Sequence, residues 1–133
     1  MADFTGISHL DLSVIDADRS AEWYCRVLGL KHLTRIDLGN RIMVVMQHPA
    51  TGLIIGVNQH VATVGDRFDE HVPGLDHVGL AVTSRDELVE LEKRLTAENV
   101  EHSPVTDSPS GSGTALVFRD PDNIQLEFWW SKH

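Results

Sequence analysis

Apolar residues alternate with polar or small residues in two short segments, ISHLDLSV at 7–14 and LDHVGLAV at 75–82. Alternation with a period of two is typical of a β-strand that buries one face. The residues of the buried face are aliphatic in both segments: Leu10, Leu12 and Val14, then Val78, Leu80 and Val82. The segments also match position for position, which places His9 opposite His77. The pattern therefore predicts an internal repeat.

A helical pattern follows each of these two strands. In the second copy Ser84 and Glu87 form a capping box ahead of leucines that recur at helical spacing. In the first copy Asp16 or Asp18 caps the start of the helix, and Gly29 suits the position just past its end. Two further strand-like segments come next in each copy, and MQHP in the first copy corresponds to FRDP in the second. The chain is therefore predicted to contain two β-α-β-β-β units.

The repeat predicts an α+β fold, because each copy combines one helix with several strands. At 133 residues the chain suits one well-cored domain and is short for two of ordinary size. We expect a single domain with a first βαβββ module at about 5–58, a connector at about 59–73 and a second module at about 74–131. The helices must cover the aliphatic strand faces. The histidines then line the opposite, concave side of the sheet.

Composition and charge exclude several classes of partner. Hydrophobic residues make up 41% of the chain and charged residues 23%, as in ordinary globular proteins, and no apolar run approaches a membrane span. The net charge of −9, without a local Lys/Arg cluster, disfavours nucleic acid. The start, MADFTGISHLDLSV, lacks the features of a secretory signal, so a cytoplasmic location is expected. The single cysteine, Cys25, excludes an intrachain disulfide.

One carboxylate, Glu127, interrupts the strand-like segment DPDNIQLEFWW at 120–130. By strand parity it faces the polar side, as His9 and His77 do in the two repeated strands. Two histidines and one carboxylate form the facial triad that binds divalent iron and related metals while leaving coordination positions open. These ligands suit Fe, Mn, Zn, Ni or Co and leave the choice among them open. A lone histidine at the start of a strand is more often structural, and the repeated register is what favours a metal site.

Candidates for proton transfer lie near these ligands. Asp11 shares the strand face of His9, while His60 and His71 lie in the predicted connector. A histidine in a solvated loop is the alternative interpretation for the last two. Gln125 and Trp129 share the face of Glu127 and are candidates for substrate binding.

The residues quoted above resemble the vicinal oxygen chelate superfamily. That family includes glyoxalases, bleomycin- and fosfomycin-resistance proteins, methylmalonyl-CoA epimerases and extradiol dioxygenases. The features that carry the resemblance are the paired units with an initial histidine, the segment WY…VLGL and the terminal FRDPDNIQLEF. The resemblance spans roughly residues 4–130. It implies an open, cupped mixed sheet with helices on its convex side, a homodimer, and a metal that substrates chelate through neighbouring oxygens.

The resemblance also implies a ligand set. Glyoxalase-like members supply one ligand from the first and one from the last strand of each unit, which here gives His9, a residue in LIIGVN, His77 and Glu127. The second position falls on Gly56, or on Ile55 with an earlier gap, and neither coordinates metal. The chain is therefore more similar to the three-ligand dioxygenases and fosfomycin-resistance enzymes.

Two functions follow from these observations, and an interaction domain that keeps the fold without its chemistry is a third alternative. The first is a metal-dependent lyase or dioxygenase with a divalent metal on His9, His77 and Glu127, and with Glu127, Asp11 and His60 as catalytic groups. The second is a metal-free protein that sequesters an aromatic or peptide antibiotic, with Trp129 as a stacking surface. The first is favoured because three ligand-competent residues keep their register.

Overall fold

The computed structural model describes residues 2–133 and divides the chain into two compact units, which we call unit 1 and unit 2. Unit 1 ends at Asp66, and unit 2 is Arg67–His133. The elements of unit 1 are β1 (Leu10–Ser13), α1 (Ala17–Leu28), β2 (Lys31–Asp37), β3 (Arg41–Gln47) and β4 (Ile54–His60). The elements of unit 2 are β5 (Val78–Ala81), α2 (Arg85–Ala97), β6 (Thr106–Asp107), β7 (Gly113–Arg119) and β8 (Gln125–Ser131).

Each unit forms its own four-stranded mixed sheet. The strand order is β1-β4-β3-β2 in unit 1 and β5-β8-β7-β6 in unit 2. In each sheet the first strand pairs in parallel with the last, and the remaining neighbours are antiparallel. The α+β class and the two βαβββ modules are therefore confirmed. Because the first and last strands of a module are neighbours, side chains from its two ends meet on one surface.

Unit 1 packs α1 against its sheet. The Asp16 carboxylate accepts a hydrogen bond from the Arg19 N–H at 3.0 Å, and Gly29 ends the helix in the left-handed conformation at φ 73°. Tyr24 is fully buried in this layer. The other buried aliphatic residues of the layer include Leu12, Val14, Val27, Val44, Ile55 and Val57. The predicted aliphatic face of the first strand is thus confirmed at Leu12 and Val14.

Unit 2 repeats this arrangement with α2. Ser84 accepts a hydrogen bond from the Glu87 N–H at 3.3 Å, and the Glu87 carboxylate accepts one from the Thr83 N–H at 2.8 Å. Leu88 and Leu95 are buried on the inner face of the helix. The sheet contributes Leu116, Phe118, Leu126 and Phe128 to the same layer. Neither α1 nor α2, the helices found within residues 2–133, has the length and apolarity needed to cross a bilayer.

Two boundaries differ from the sequence prediction. The strands predicted from residues 7 and 75 begin at Leu10 and Val78, where pairing with the last strand of each module begins. His9 and His77 therefore stand directly before the strands. His60, expected in the connector, is instead the last residue of β4, because the ladder with β3 continues as far as its pairing with Arg41.

Candidate functional site

His77 and Glu127 come together in unit 2. Glu127 lies in the middle of β8, and its neighbour across the parallel pairing is Gly79 of β5, two residues after the histidine. The His77 Nε2 lies 2.8 Å from the Glu127 Oε2. The Glu127 side chain is 12% exposed and that of His77 is 44% exposed. The carboxylate is therefore largely shielded from water while the imidazole remains accessible.

The other imidazole nitrogen of His77 is held by a chain of polar side chains within the same unit. Its Nδ1 lies 2.7 Å from the Asp76 Oδ1, which also accepts a hydrogen bond from the Gln125 amide at 2.9 Å. Arg119 donates to the Gln125 Oε1 at 3.1 Å and forms a two-bond ion pair with Glu70 at 2.9 and 3.1 Å. The ring orientation is thereby fixed. The neutral ring donates from Nδ1 to the Asp76 carboxylate in one tautomer and from Nε2 to the Glu127 carboxylate in the other.

Glu70, at the far end of this series of hydrogen bonds, has a strongly lowered pKa. Hydrogen bonds from the Arg119 guanidinium lower the pKa of Glu70 from 4.5 to about 2. The same contact raises the pKa of Arg119. Because folding favours the ionised carboxylate, the stabilisation is fully present above the ordinary pKa of 4.5 and is lost as the pH falls toward about 2.

Replacing Glu70 with glutamine is expected to destabilise the protein at pH 6 and to have a progressively smaller effect as the pH is lowered below 4.5. The reason is that wild-type Glu70 itself becomes neutral in that range. Urea midpoints of both proteins between pH 3 and pH 6 measure the difference. Asp66→Asn, at an exposed carboxylate, is the control and should show no such convergence. A difference between wild type and Glu70→Gln that does not change with pH would contradict this assignment.

Unit 1 places a second histidine beside a carboxylate. The His9 Nε2 lies 3.3 Å from the Asp11 Oδ2, and its Nδ1 lies 2.6 Å from the Ser8 hydroxyl. The buried Asn58 donates from its amide to the Asp11 Oδ1 at 3.3 Å. Both histidines therefore have Nε2 facing a carboxylate and Nδ1 facing the polar side chain of the preceding residue. The His9 and Asp11 side chains are 57% and 44% exposed.

The other residues predicted for the site, Gln125, Trp129, His60 and His71, differ in their contacts and burial. The Gln125 amide is bonded at both ends, to Asp76 and Arg119. The Trp129 indole N–H donates to the Ser131 hydroxyl at 2.8 Å. The Trp129 ring lies against Gly113, where even a Cβ atom would collide with it. The remaining histidines of interest are His60, which is partly buried at the end of β4, and His71, which is 86% exposed and lies 2.7 Å from Asp69.

The structure thus brings His77 together with Glu127, and His9 together with Asp11. Within residues 2–133, no three or more His, Cys, Asp and Glu side chains are grouped as a bound metal ion would require. Sequence reasoning missed the supporting role of Ser8 and Asp76. Their signal was available, since both directly precede the repeated histidines and both can hydrogen-bond.

Comparison with known families assigns the fold. The model of the Glyoxalase/Bleomycin resistance protein/Dioxygenase superfamily matches residues 6–128. A crystal structure of a glyoxylase/bleomycin resistance protein/dioxygenase domain from Frankia sp. EAN1pec is 36% identical, with a TM-score of 0.88, and the match covers 98% of this chain and 100% of that one.

More distant structures share the fold alone. A variant of the fosfomycin resistance protein FosX from Listeria monocytogenes, complexed with Mn(II) and 1S,2S-dihydroxypropylphosphonic acid, is 19% identical with a TM-score of 0.75. That match covers 98% of this chain and 95% of that one. A glyoxalase family protein from Enterococcus faecalis is 18% identical with a TM-score of 0.78, covering 95% of this chain and 98% of that one.

Proposed function

Because the chain belongs to the Glyoxalase/Bleomycin resistance protein/Dioxygenase superfamily, we propose that it is an enzyme that binds a divalent metal and acts on a small organic substrate. The proposed protein ligands are His9, His77 and Glu127. A bound divalent ion supplies a Lewis acid that polarises neighbouring oxygens of the substrate. Lyase and dioxygenase chemistry both suit this ligand set.

The observation that carries the proposal is the contact between His77 and Glu127. An imidazole nitrogen and a carboxylate oxygen lie 2.8 Å apart, and both are ligand atoms that Fe, Mn, Zn, Ni and Co accept. Asp76 holds the opposite ring nitrogen, as carboxylates commonly do for metal-bound histidines. His77 and Glu127 thus offer one imidazole and one carboxylate donor to a divalent cation.

His9 is assigned as the third ligand by its place in the repeat. It occupies the position of His77 in the other module, and its Nδ1 has an equivalent polar neighbour in Ser8. The surroundings of the two imidazoles are thus alike within each unit. This likeness supports a common role for the two rings.

Other side chains are proposed to position the substrate and move protons. Asp11 and His60 are the candidates for proton transfer, since both lie in unit 1 on strands that pair with each other. Trp129 and Gln125 are proposed to contact the substrate from β8. For Gln125 this role would be shared with its hydrogen bond to Asp76.

Mn(II) is the metal to test first. The FosX complex contains Mn(II) together with a ligand that carries two neighbouring hydroxyl groups. Those groups are the vicinal oxygens that the family resemblance leads us to expect in a substrate. We propose substrates of this general class, a homodimeric assembly and a cytoplasmic location for this chain. Among the described residues, no observation favours the metal-free sequestration of an antibiotic.

Metal uptake tests the proposal directly. Protein stripped with a chelator is offered Mn(II), Fe(II) without oxygen, Zn(II), Ni(II) and Co(II) in turn, and the bound metal is quantified by elemental analysis. We expect near-stoichiometric binding of at least one of these ions. His77→Ala should lose that ion, whereas His71→Ala, at an 86% exposed histidine, should retain it. Failure of the wild-type protein to bind any of the five metals would refute the proposed function.

A further inference from the structure

One arginine of unit 1, Arg41 at the start of β3, has no partner for its charge. Its Nε is buried, and no atom within residues 2–133 accepts a hydrogen bond from it. No carboxylate in the described part of the chain forms an ion pair with this guanidinium. Carboxylates are plentiful, since the chain has 20 acidic and 11 basic residues. Several other arginines do pair with one: Arg26, Arg35, Arg85 and Arg119.

A buried donor on a charged group destabilises the folded protein when it has no hydrogen-bond partner. Arginine cannot relieve this cost by losing its proton, because its guanidinium stays charged in proteins. Such a group therefore calls for a specific explanation. An anion that binds to the protein would supply the missing acceptor, and a guanidinium binds carboxylate and phosphate groups well.

Arg41 lies on the face of the unit 1 sheet that is turned away from α1. On the same strand Val44 and Met46 are buried in the layer with α1, and strand parity places position 41 on the opposite face. His60, at the end of β4, is the register partner of Arg41. Paired residues carry their side chains on one face, with Cβ atoms about 4.5–5.5 Å apart. A single anion can therefore contact both side chains.

The imidazole of His60 is available for such a contact. The ring forms no hydrogen bond or ion pair within residues 2–133, and the residue is only partly buried. A neutral imidazole has one N–H donor, and a protonated one has two. The Arg41 guanidinium adds N–H donors arranged in a planar fork, which matches the geometry of a carboxylate or phosphate. The two side chains thus present several donors and a permanent positive charge to the same space.

The fold itself does not require this pair of residues. In the repeat, Arg41 corresponds to Gly113. His60 corresponds to Ser131, and Gly113 and Ser131 are likewise register partners. In unit 2 the Trp129 ring takes the space beside the glycine, and its N–H donates to the Ser131 hydroxyl at 2.8 Å. The second module therefore fills this place with its own side chains, whereas the first leaves a charged donor unpartnered.

We propose that Arg41 and His60 form a binding site for an oxyanion, either a carboxylate or a phosphate group. Arg41 donates to the group from its planar fork, and His60 donates a further hydrogen bond. The site lies within unit 1 and needs no metal, so the inference goes beyond the proposed function. To that function, provided that it holds, it adds that the substrate carries an anionic group. The contact also keeps His60 beside the ligand, as its proposed part in proton transfer requires.

The first test observes the Arg41 Nε–H by nuclear magnetic resonance of isotopically labelled protein that has been stripped of metal and desalted. Sodium phosphate and sodium acetate are added in turn at constant ionic strength, and Arg41→Lys identifies the signal. We expect a saturable shift with at least one anion, and the anion that binds more tightly identifies the class of ligand. The exposed Arg67 is the internal control and should shift little. The absence of a saturable Arg41 shift, or equal shifts for both arginines, would overturn the inference.

The second test measures anion affinity in variants through the ring signals of His60, which all of them retain. Arg41→Met removes the charge and the donors, and the affinity should fall by more than about 10-fold, as for the loss of a hydrogen bond to a charged group. Arg41→Lys keeps the charge without the planar fork and should also bind more weakly. Arg67→Met should bind as wild type does. Wild-type affinity in folded Arg41→Met would contradict the inference.

Metal uptake by the wild-type protein separates this inference from the proposed function. A protein that binds none of the offered metals and still shows the saturable Arg41 shift would refute the proposed function and support the anion site. A protein that binds Mn(II) without any such shift would support the proposed function and overturn the anion site.

Discussion

Glu127→Ala is expected to reduce the affinity for Mn(II) by more than about 100-fold, the upper end of the loss caused by removing residues that merely support a ligand. The substitution removes the anionic donor beside His77, whose Nε2 it contacts at 2.8 Å. It also removes the carboxylate least exposed to water among the proposed ligands, where electrostatic attraction to a cation is least screened. Calorimetric titration of the chelator-stripped protein measures the effect.

Two further substitutions distinguish a lost ligand from a damaged fold. Glu127→Gln keeps the shape of the side chain and should also bind Mn(II) poorly, because the charge is gone. Glu90→Ala removes an exposed carboxylate on α2 that pairs with Lys93, and it should bind as wild type does. Circular dichroism checks that all variants are folded. Tight Mn(II) binding by folded Glu127→Ala would show that this carboxylate is not a ligand.

Phe118→Ala is expected to lower the free energy of unfolding by about 3–5 kcal/mol. Phe118 has no exposed surface, and its ring stacks on Phe128 with centroids 4.7 Å apart and an interplanar angle of 23°. The substitution removes buried apolar area and leaves a cavity between the sheet and α2. Urea unfolding of wild type and variant measures the loss. Val117→Ala is the control. Val117 lies on the opposite face of the sheet from Phe118, is paired with Glu127 across the strands, and is only partly buried.

The control should lose clearly less stability than Phe118→Ala, since less buried area is removed. Equal losses would mean that the layer beneath α2 is not the core of unit 2.

Mn(II) links this stability to function, because a ligand that binds only the folded state adds about 2.7 kcal/mol to the free energy of unfolding at 100 times its dissociation constant. Saturating Mn(II) should therefore recover part of the stability lost in Phe118→Ala.

The fold was predictable because the features that determine it are repeated. The same alternation of aliphatic residues precedes both helices, and the caps at Asp16 and Ser84 are local signals that need no knowledge of the partner strands. Strand ends were harder to predict. His60 lies in β4 because of its pairing with Arg41 on β3, and such pairing leaves no mark on the local sequence. The prediction of one domain at 1–133 stays a prediction, as does the connector at about 59–73.

The candidate site was predictable only in part. The likeness of the two modules pointed to His77, and strand parity pointed to Glu127, which the structure places in contact. The polar chain from Asp76 through Gln125 to Arg119 could not be predicted, since it joins residues far apart in sequence. Gly56 had been noted as a position unable to coordinate metal. In the structure Gly56 lies opposite Asp11 and leaves room for its carboxylate. This pairing depends on strand register, which the sequence alone does not determine.

The overlap between Asp11 and any side chain at position 56 also constrains how such a protein can change by mutation. A carboxylate on both strands of unit 1 would place two side chains in one volume, because even a Cβ at position 56 meets the Asp11 Oδ1. The Asp11 carboxylate is thus tolerated only when position 56 is glycine, which is a case of negative epistasis between neighbouring strands. A stepwise change from a carboxylate at position 11 to one at position 56 must therefore lose Asp11 first. At that intermediate the module has a histidine and no carboxylate of its own.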